Sequence, residues 1–143
     1  MSELHGYYME DISVGMTAVF SKTVTEADIT LFAGVSGDTN PLHLDAEFAG
    51  QSRFKGRIAH GMLSASFIST ILGTKLPGPG GIYMSQSLRF MAPVKAGDTV
   101  VARAIVEEIT PEKNRIRMKT ECTVGDIVVI TGEAVAMVPS RPE

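Results

Sequence analysis

The hydrophobic rhythm of the chain changes sharply near its middle. From Ile58 to Gly73 there is no acid, lysine or arginine. Read at helical spacing, Met62, Leu63, Ala65, Phe67, Ile68, Ile71 and Leu72 cover most of a helix circumference, and small hydroxyl residues fill the rest. A helix apolar all round is a buried helix. This one is too short and too rich in serine for a membrane span, which needs roughly 20 apolar residues.

The flanking segments follow other periods. Met16, Ala18 and Phe20 alternate with Thr17, Ser21 and Lys22, which predicts a strand between Gly15 and Val24. Thr25 and Asp28 then form the signature of a capped helix start, and Ile29, Leu31, Phe32 and Val35 supply its apolar face. That helix ends at Gly34–Gly37. Asp45 caps a second, short helix through Ala49, with Phe48 turned inward. After the apolar helix, Ile82–Phe90, Thr99–Ile109, Arg115–Val124 and Ile127–Val138 read as strands rich in β-branched residues. The turn clusters Ala96-Gly97-Asp98, Thr110–Asn114 and Gly125-Asp126 separate them, which implies an antiparallel meander. One apolar helix followed by such a meander fits a sheet curled around that helix.

Composition narrows this reading. A chain of 143 residues, 44% hydrophobic and 20% charged, suits one globular domain over residues 1–143. A net charge of −3 without a dense basic run argues against a nucleic-acid surface. The single cysteine, Cys122, permits no internal disulfide and makes a reducing cytoplasm the default. It lies in an alternating strand and reads as a packing residue. Residues Met1–Ile12 lack the basic and apolar regions of a signal peptide.

Candidate chemistry sits in two stretches. Ser36-Gly37-Asp38-Thr39-Asn40-Pro41-Leu42-His43 sets an acid and an imidazole on one short segment. Gly37, Asn40 and Pro41 favour a compact turn, so Asp38 and His43 face one small volume. Such a pair holds a water, one group taking its proton while the other gives one. The second stretch is His60-Gly61, where the buried helix begins. Free N–H groups and the positive dipole end lie there, and glycine admits close approach of a ligand. The combination describes an oxyanion site.

Asp38-Thr39-Asn40-Pro41-Leu42-His43-Leu44-Asp45 followed by His60-Gly61-Met62-Leu63 resembles the MaoC-like (R)-specific enoyl-CoA hydratases. Gly80-Gly81-Ile82-Tyr83-Met84-Ser85-Gln86-Ser87-Leu88-Arg89-Phe90, then Pro93-Val94 and Gly97-Asp98, fits the same family, so the likeness covers essentially the whole chain. It implies an α+β hot-dog fold, an antiparallel sheet wrapped around a long central buried helix. It also implies reversible addition of water to a trans-2-enoyl-CoA, giving the (R)-3-hydroxyacyl-CoA. Asp38 and His43 would activate the water while the Gly61 N–H polarises the thioester. No metal and no separate cofactor are implied, since coenzyme A is part of the substrate.

Supporting roles stay open at this level. Asn40 either fixes the loop or lines the site. Ser69 matches a family serine placed near the catalytic aspartate, and either orients Asp38 or back-bonds to its own helix. His60 reads as structural, bonding a backbone group. Arg53, Lys55 and Arg57 form either a solvated loop or contacts to coenzyme A phosphates, and Lys75 is a further such candidate. The unpaired edge of a single sheet, with the family likeness, implies a homodimer. The rival readings are a thioesterase or carrier-protein dehydratase of the same fold, and a non-catalytic acyl-thioester binding module. A membrane partner, a metal spacing such as H-E-x-x-H, a G-K-[ST] phosphate loop and a G-x-S-x-G elbow are absent from the sequence.

Overall fold

Thr25 follows the first strand and caps the first α-helix of the computed structural model, which describes residues 3–143. Strand β1 (Thr17–Thr23) leads into it. The Asp28 N–H donates to the Thr25 hydroxyl at 3.0 Å, and the Thr25 N–H donates to the Asp28 carboxylate at 2.9 Å. This reciprocal box starts helix α1 (Glu26–Ser36). Gly37, with φ +79°, ends it in a left-handed turn that glycine adopts at little cost. Two short helices follow, α2 (Pro41–Leu44) and α3 (Ala46–Gly50), capped by the side chains of Asn40 and Asp45. The long helix α4 (Gly61–Thr74) comes next. Strands β2 (Ile82–Gln86), β3 (Arg89–Phe90), β4 (Thr99–Thr110), β5 (Arg115–Val124) and β6 (Ile127–Met137) complete the chain.

All strand pairs are antiparallel, in the order β1-β4-β5-β6-β2, with β3 also on β6. The meander expected for β4, β5 and β6 is present. Helix α4 packs against β4, β1, β5 and β6, so the sheet curls around it. The division of side-chain size explains how closely they approach. The sheet presents Val100, Ala102, Ala104, Ala134 and Ala136, all buried, while α4 supplies Phe67, Ile68, Ile71 and Leu72. Small strand residues leave room for large helix residues, and interiors must fill such space to crystal-like density. No helix among the described residues is long and apolar enough to cross a membrane.

Three expectations fail locally. The apolar period places Leu31 and Val35 on the buried face of α1, yet both point to solvent, 66% and 87% exposed; Ile29 and Ala33 are the buried residues. Phe48 is 55% exposed, and the smaller Ala49 is the residue α3 buries. The expected strand Ile82–Phe90 is two strands, with a register shift between Tyr83 and Ser85. The bulge shifts the register by one residue, and β3 keeps the shifted register against Thr131 and Ile130 of β6.

Candidate active site

The loop after α1 is shaped by its own polar side chains. The Ser36 hydroxyl donates to the Phe32 carbonyl at 2.7 Å and accepts the Asp38 N–H at 3.1 Å. The Leu42 N–H donates to Asn40 Oδ1 at 3.0 Å, so Asn40 acts as the cap of α2. Pro41 stands at the first helical position, where its missing N–H costs nothing. His43 therefore sits on a single helical turn, the form that the expected compact turn takes. Its backbone is held from outside: Arg57 Nε donates to the His43 carbonyl at 2.7 Å while its guanidinium pairs with Glu26 at 2.9 Å.

These restraints decide which imidazole atoms are free. His43 Nδ1 lies 2.8 Å from the Ile58 carbonyl. A carbonyl only accepts, so Nδ1 carries the proton and donates, leaving Nε2 as a lone-pair acceptor in the neutral ring. That Nε2 faces Asp38 Oδ2 at 4.0 Å. The gap is too long for a direct hydrogen bond, and a water at ordinary bonding distance from both would subtend roughly 90°. His60 is held in the same way. Its Nε2 donates to the Asp38 backbone carbonyl at 2.9 Å, which pins the Asp38 loop to the start of α4. The two imidazoles stack at 3.8 Å between centroids, and Phe32 packs against His60, tilted, at 4.9 Å.

Ligand atoms of Asp38, His43 and His60 lie within 4.8 Å of one another, a grouping with the composition of a metal site. The ring geometry does not suit one. An imidazole ligates in its own plane, and two rings stacked with only 26° between their planes do not converge on one ion. The arrangement is instead a fixed imidazole beside a carboxylate.

Gly61 opens α4 next to this pair. Its N–H belongs to the first turn and has no carbonyl one turn back inside the helix. A cavity of about 340 Å³ opens here, lined among others by Asp38, His60, Gly61, Ser64, Phe90 and Val129. Two buried polar atoms have no partner among the described residues, His60 Nδ1 and, one helical turn on, Ser64 Oγ. Beneath them Cys122 donates to the Ser64 carbonyl at 3.6 Å, and burial, with a smaller effect of Glu121, pushes its thiol up to about 12. It serves as a packing group that ties β5 to α4.

The structure thus brings Asp38, His43, His60 and Gly61 together, with Asn40 shaping the loop. Ser69 is not among them. It lies two turns further along α4, exposed, and lines a separate cavity with Leu72, Tyr83 and Ala136, so within one chain it does not orient Asp38. Lys75 lines another cleft beside Tyr7 and Met16, which includes neither Asp38 nor His43. Arg57 is consumed by His43 and Glu26 and is not free for a phosphate. Sequence reasoning missed that role, and it missed Ser64 and Phe90 as cavity walls. Arg57 could have been found only by pairing it with Glu26 across the intervening helices, which no local spacing signals.

The chain is 56% identical over 135 residues to an (R)-specific enoyl-CoA hydratase of Rhodospirillum rubrum, covering 94% of each. It is 46% identical to a 3-hydroxybutyryl-CoA dehydratase of Methylorubrum extorquens, over all of this chain and 91% of the relative. The solved (R)-hydratase of A. caviae involved in PHA biosynthesis superimposes with a TM-score of 0.88 at 42% identity, covering 91% of this chain and 99% of that one. A MaoC like domain model matches residues 11–129, and with these likenesses the chain belongs to the MaoC-like family of hot-dog-fold hydratases.

Proposed function

We propose that the protein is an (R)-specific enoyl-CoA hydratase, a hydro-lyase that reversibly adds water to a trans-2-enoyl-CoA. The observation that carries this reading is the free His43 Nε2 facing Asp38 Oδ2 at 4.0 Å, beside the unpaired end of a buried helix. A water held between the two loses one proton to His43 Nε2 as its oxygen bonds to the β carbon. The electron pair of the double bond moves toward the thioester, and charge develops on the carbonyl oxygen. The Gly61 N–H, at the positive end of α4, donates a hydrogen bond to that oxygen and stabilises its charge. The Asp38/His43 pair then returns a proton to the α carbon on the same face, so water adds across the bond with no change of oxidation state. The (R) outcome follows from the named hydratases this chain resembles.

The working unit is a homodimer. Strand β2 is a sheet edge, paired only with β6, and it carries Ile82, Tyr83 and Met84 exposed. Two such edges joined about a two-fold axis would satisfy each other's backbone groups. The cavity that holds Ser69 is bordered by Ile82 and Tyr83, so this pairing would bring it to the interface. A cytoplasmic location suits the single free thiol. Supply of (R)-3-hydroxyacyl-CoA to polyhydroxyalkanoate synthesis is supported by the likeness to the A. caviae enzyme. The test is loss of enoyl absorbance on mixing purified protein with crotonyl-CoA. A folded protein that leaves the absorbance intact at high enzyme concentration overturns the assignment.

A further inference from the structure

The hydroxyl groups of helix α4 do not all behave alike. Ser66, Thr70 and Thr74 turn back on their own helix, donating to the carbonyls of Leu63, Ser66 and Thr70 at 2.5, 3.3 and 2.6 Å. This is the ordinary use of a helix hydroxyl. Ser64 does not follow it. The residue is 1% exposed, and its Oγ has no hydrogen-bond partner among the described residues. Its main chain is meanwhile tied to β5, since Cys122 Sγ donates to the Ser64 carbonyl at 3.6 Å. Leaving a buried hydroxyl unpaired costs stability, so a position that keeps one points to a partner that arrives from outside the fold.

The place of this hydroxyl narrows the partner. Ser64 lines the cavity that also holds Asp38 and Gly61, among the apolar walls of Phe90, Met91, Val129 and Ile130. It follows Gly61 by three residues, on the same face of α4. Helical side chains lean toward the N-terminus, so that of Ser64 lies over the turn that Gly61 begins. The other unpartnered atom, His60 Nδ1, cannot take its place. That ring already donates through Nε2 to the Asp38 carbonyl, which leaves Nδ1 a lone pair in the neutral ring. Asp38 offers acceptor oxygens, and the Arg53 guanidinium lies over the Phe54 ring at 5.0 Å. A ligand oxygen that gathers negative charge at this helix end therefore meets the Gly61 N–H and, from the side chains, the Ser64 O–H.

We infer that the Ser64 hydroxyl is a second donor to the thioester oxygen, completing with the Gly61 N–H a two-donor oxyanion site. The inference rests on the hydratase reading for its substrate and adds a catalytic residue to it. In the free protein the hydroxyl stands without a partner, and a turn about its one χ1 bond carries the O–H toward the oxygen on which charge develops. Apolar walls keep the local dielectric low, which strengthens that bond. The unpaired hydroxyl lowers the stability of the free protein and lowers the barrier once substrate is bound.

The experiment compares the wild type with Ser64→Ala and Ser64→Cys in three measurements. These are steady-state hydration of crotonyl-CoA, thermal unfolding without ligand, and the carbonyl stretching band of bound, isotope-labelled butyryl-CoA. Butyryl-CoA carries the same thioester and no double bond to hydrate, and each hydrogen bond to its carbonyl oxygen lowers the band. Ser64→Ala should lose turnover by about 10²-fold with KM little changed, as loss of an oxyanion donor does. Its melting temperature should equal or exceed that of the wild type, because the hydroxyl it removes makes no bond in the free protein. Its carbonyl band should lie at higher frequency. Ser64→Cys, with a weaker donor, should fall between the two in turnover and in band position. Wild-type turnover or an unshifted band in Ser64→Ala overturns the inference. A lower melting temperature with the band unchanged also overturns it, assigning the hydroxyl to packing. If the wild type hydrates no thioester the hydratase reading fails, while the band of bound butyryl-CoA still decides whether Ser64 meets a thioester oxygen. Failure of butyryl-CoA to bind overturns both.

Discussion

The ring of Phe90 lies so close to Gly61 that a β-carbon built on the glycine would stand 2.6 Å from Phe90 Cε1. The contact explains why glycine opens α4 here: any side chain must push the ring away from the helix end where the thioester oxygen is proposed to sit. Phe90 is 52% exposed and free to move, so the fold should survive the change. Gly61→Ala and Gly61→Val should therefore keep their melting temperature within a few degrees while turnover falls by about 10², the scale of a lost oxyanion donor. Steady-state kinetics with crotonyl-CoA, run beside thermal unfolding, checks this. Wild-type turnover in a folded Gly61→Val would place the thioester elsewhere.

Asp38→Asn and His43→Gln should each lower turnover by about 10²–10⁴-fold, the range of a general acid–base group. Because the two act on one water, the double variant should lose far less than the product of the single losses. His43 is buried and bonded to Ile58, so its replacement should also cost some stability, whereas the half-exposed Asp38 should cost little. Circular dichroism of each variant separates the two effects.

Cys122 gives a prediction in pH. Burial raises its thiol to about 12 in the folded chain, above the roughly 8.5 of an unfolded cysteine. The folded state then holds a proton that the unfolded state releases, so stability from this group is complete below about pH 8.5 and declines as pH rises toward the folded value. Thiol reagents should fail to label the native protein at neutral pH and label one site after denaturation. Rapid labelling of the native chain would contradict the packing against Ser64.

The proposed dimer predicts that charge on the β2 edge separates the subunits. Ile82 is 53% exposed on that strand, and a two-fold axis would set each introduced lysine near its symmetry mate. Ile82→Lys should shift the light-scattering mass from dimer toward monomer at micromolar concentration and lower activity with it. A wild-type protein that scatters as a fully active monomer on dilution would remove the dimer altogether.

Much of this protein was legible in the chain because its signals are local. The box of Thr25 and Asp28 lies within one turn, and the uncharged run over residues 58–73 declares a buried helix wherever it is placed. The strand alternation of 99–138 and its short turns dictate the β4-β5-β6 meander. The turn that carries Asp38 and His43 and the helix start at Gly61 were legible for the same reason, since both are set within short segments. What tertiary structure alone decided depends on groups far apart in sequence. Whether Leu31, Val35 and Phe48 are buried depends on what covers them, and an apolar period cannot say that. The free nitrogen of His43 is set by Ile58, the loop of Asp38 by His60, and the loss of Arg57 to ion pairing by Glu26. Ser69 shares a helix with Gly61, yet at two turns' remove it opens on a different cavity, because position along a helix sets both height and direction.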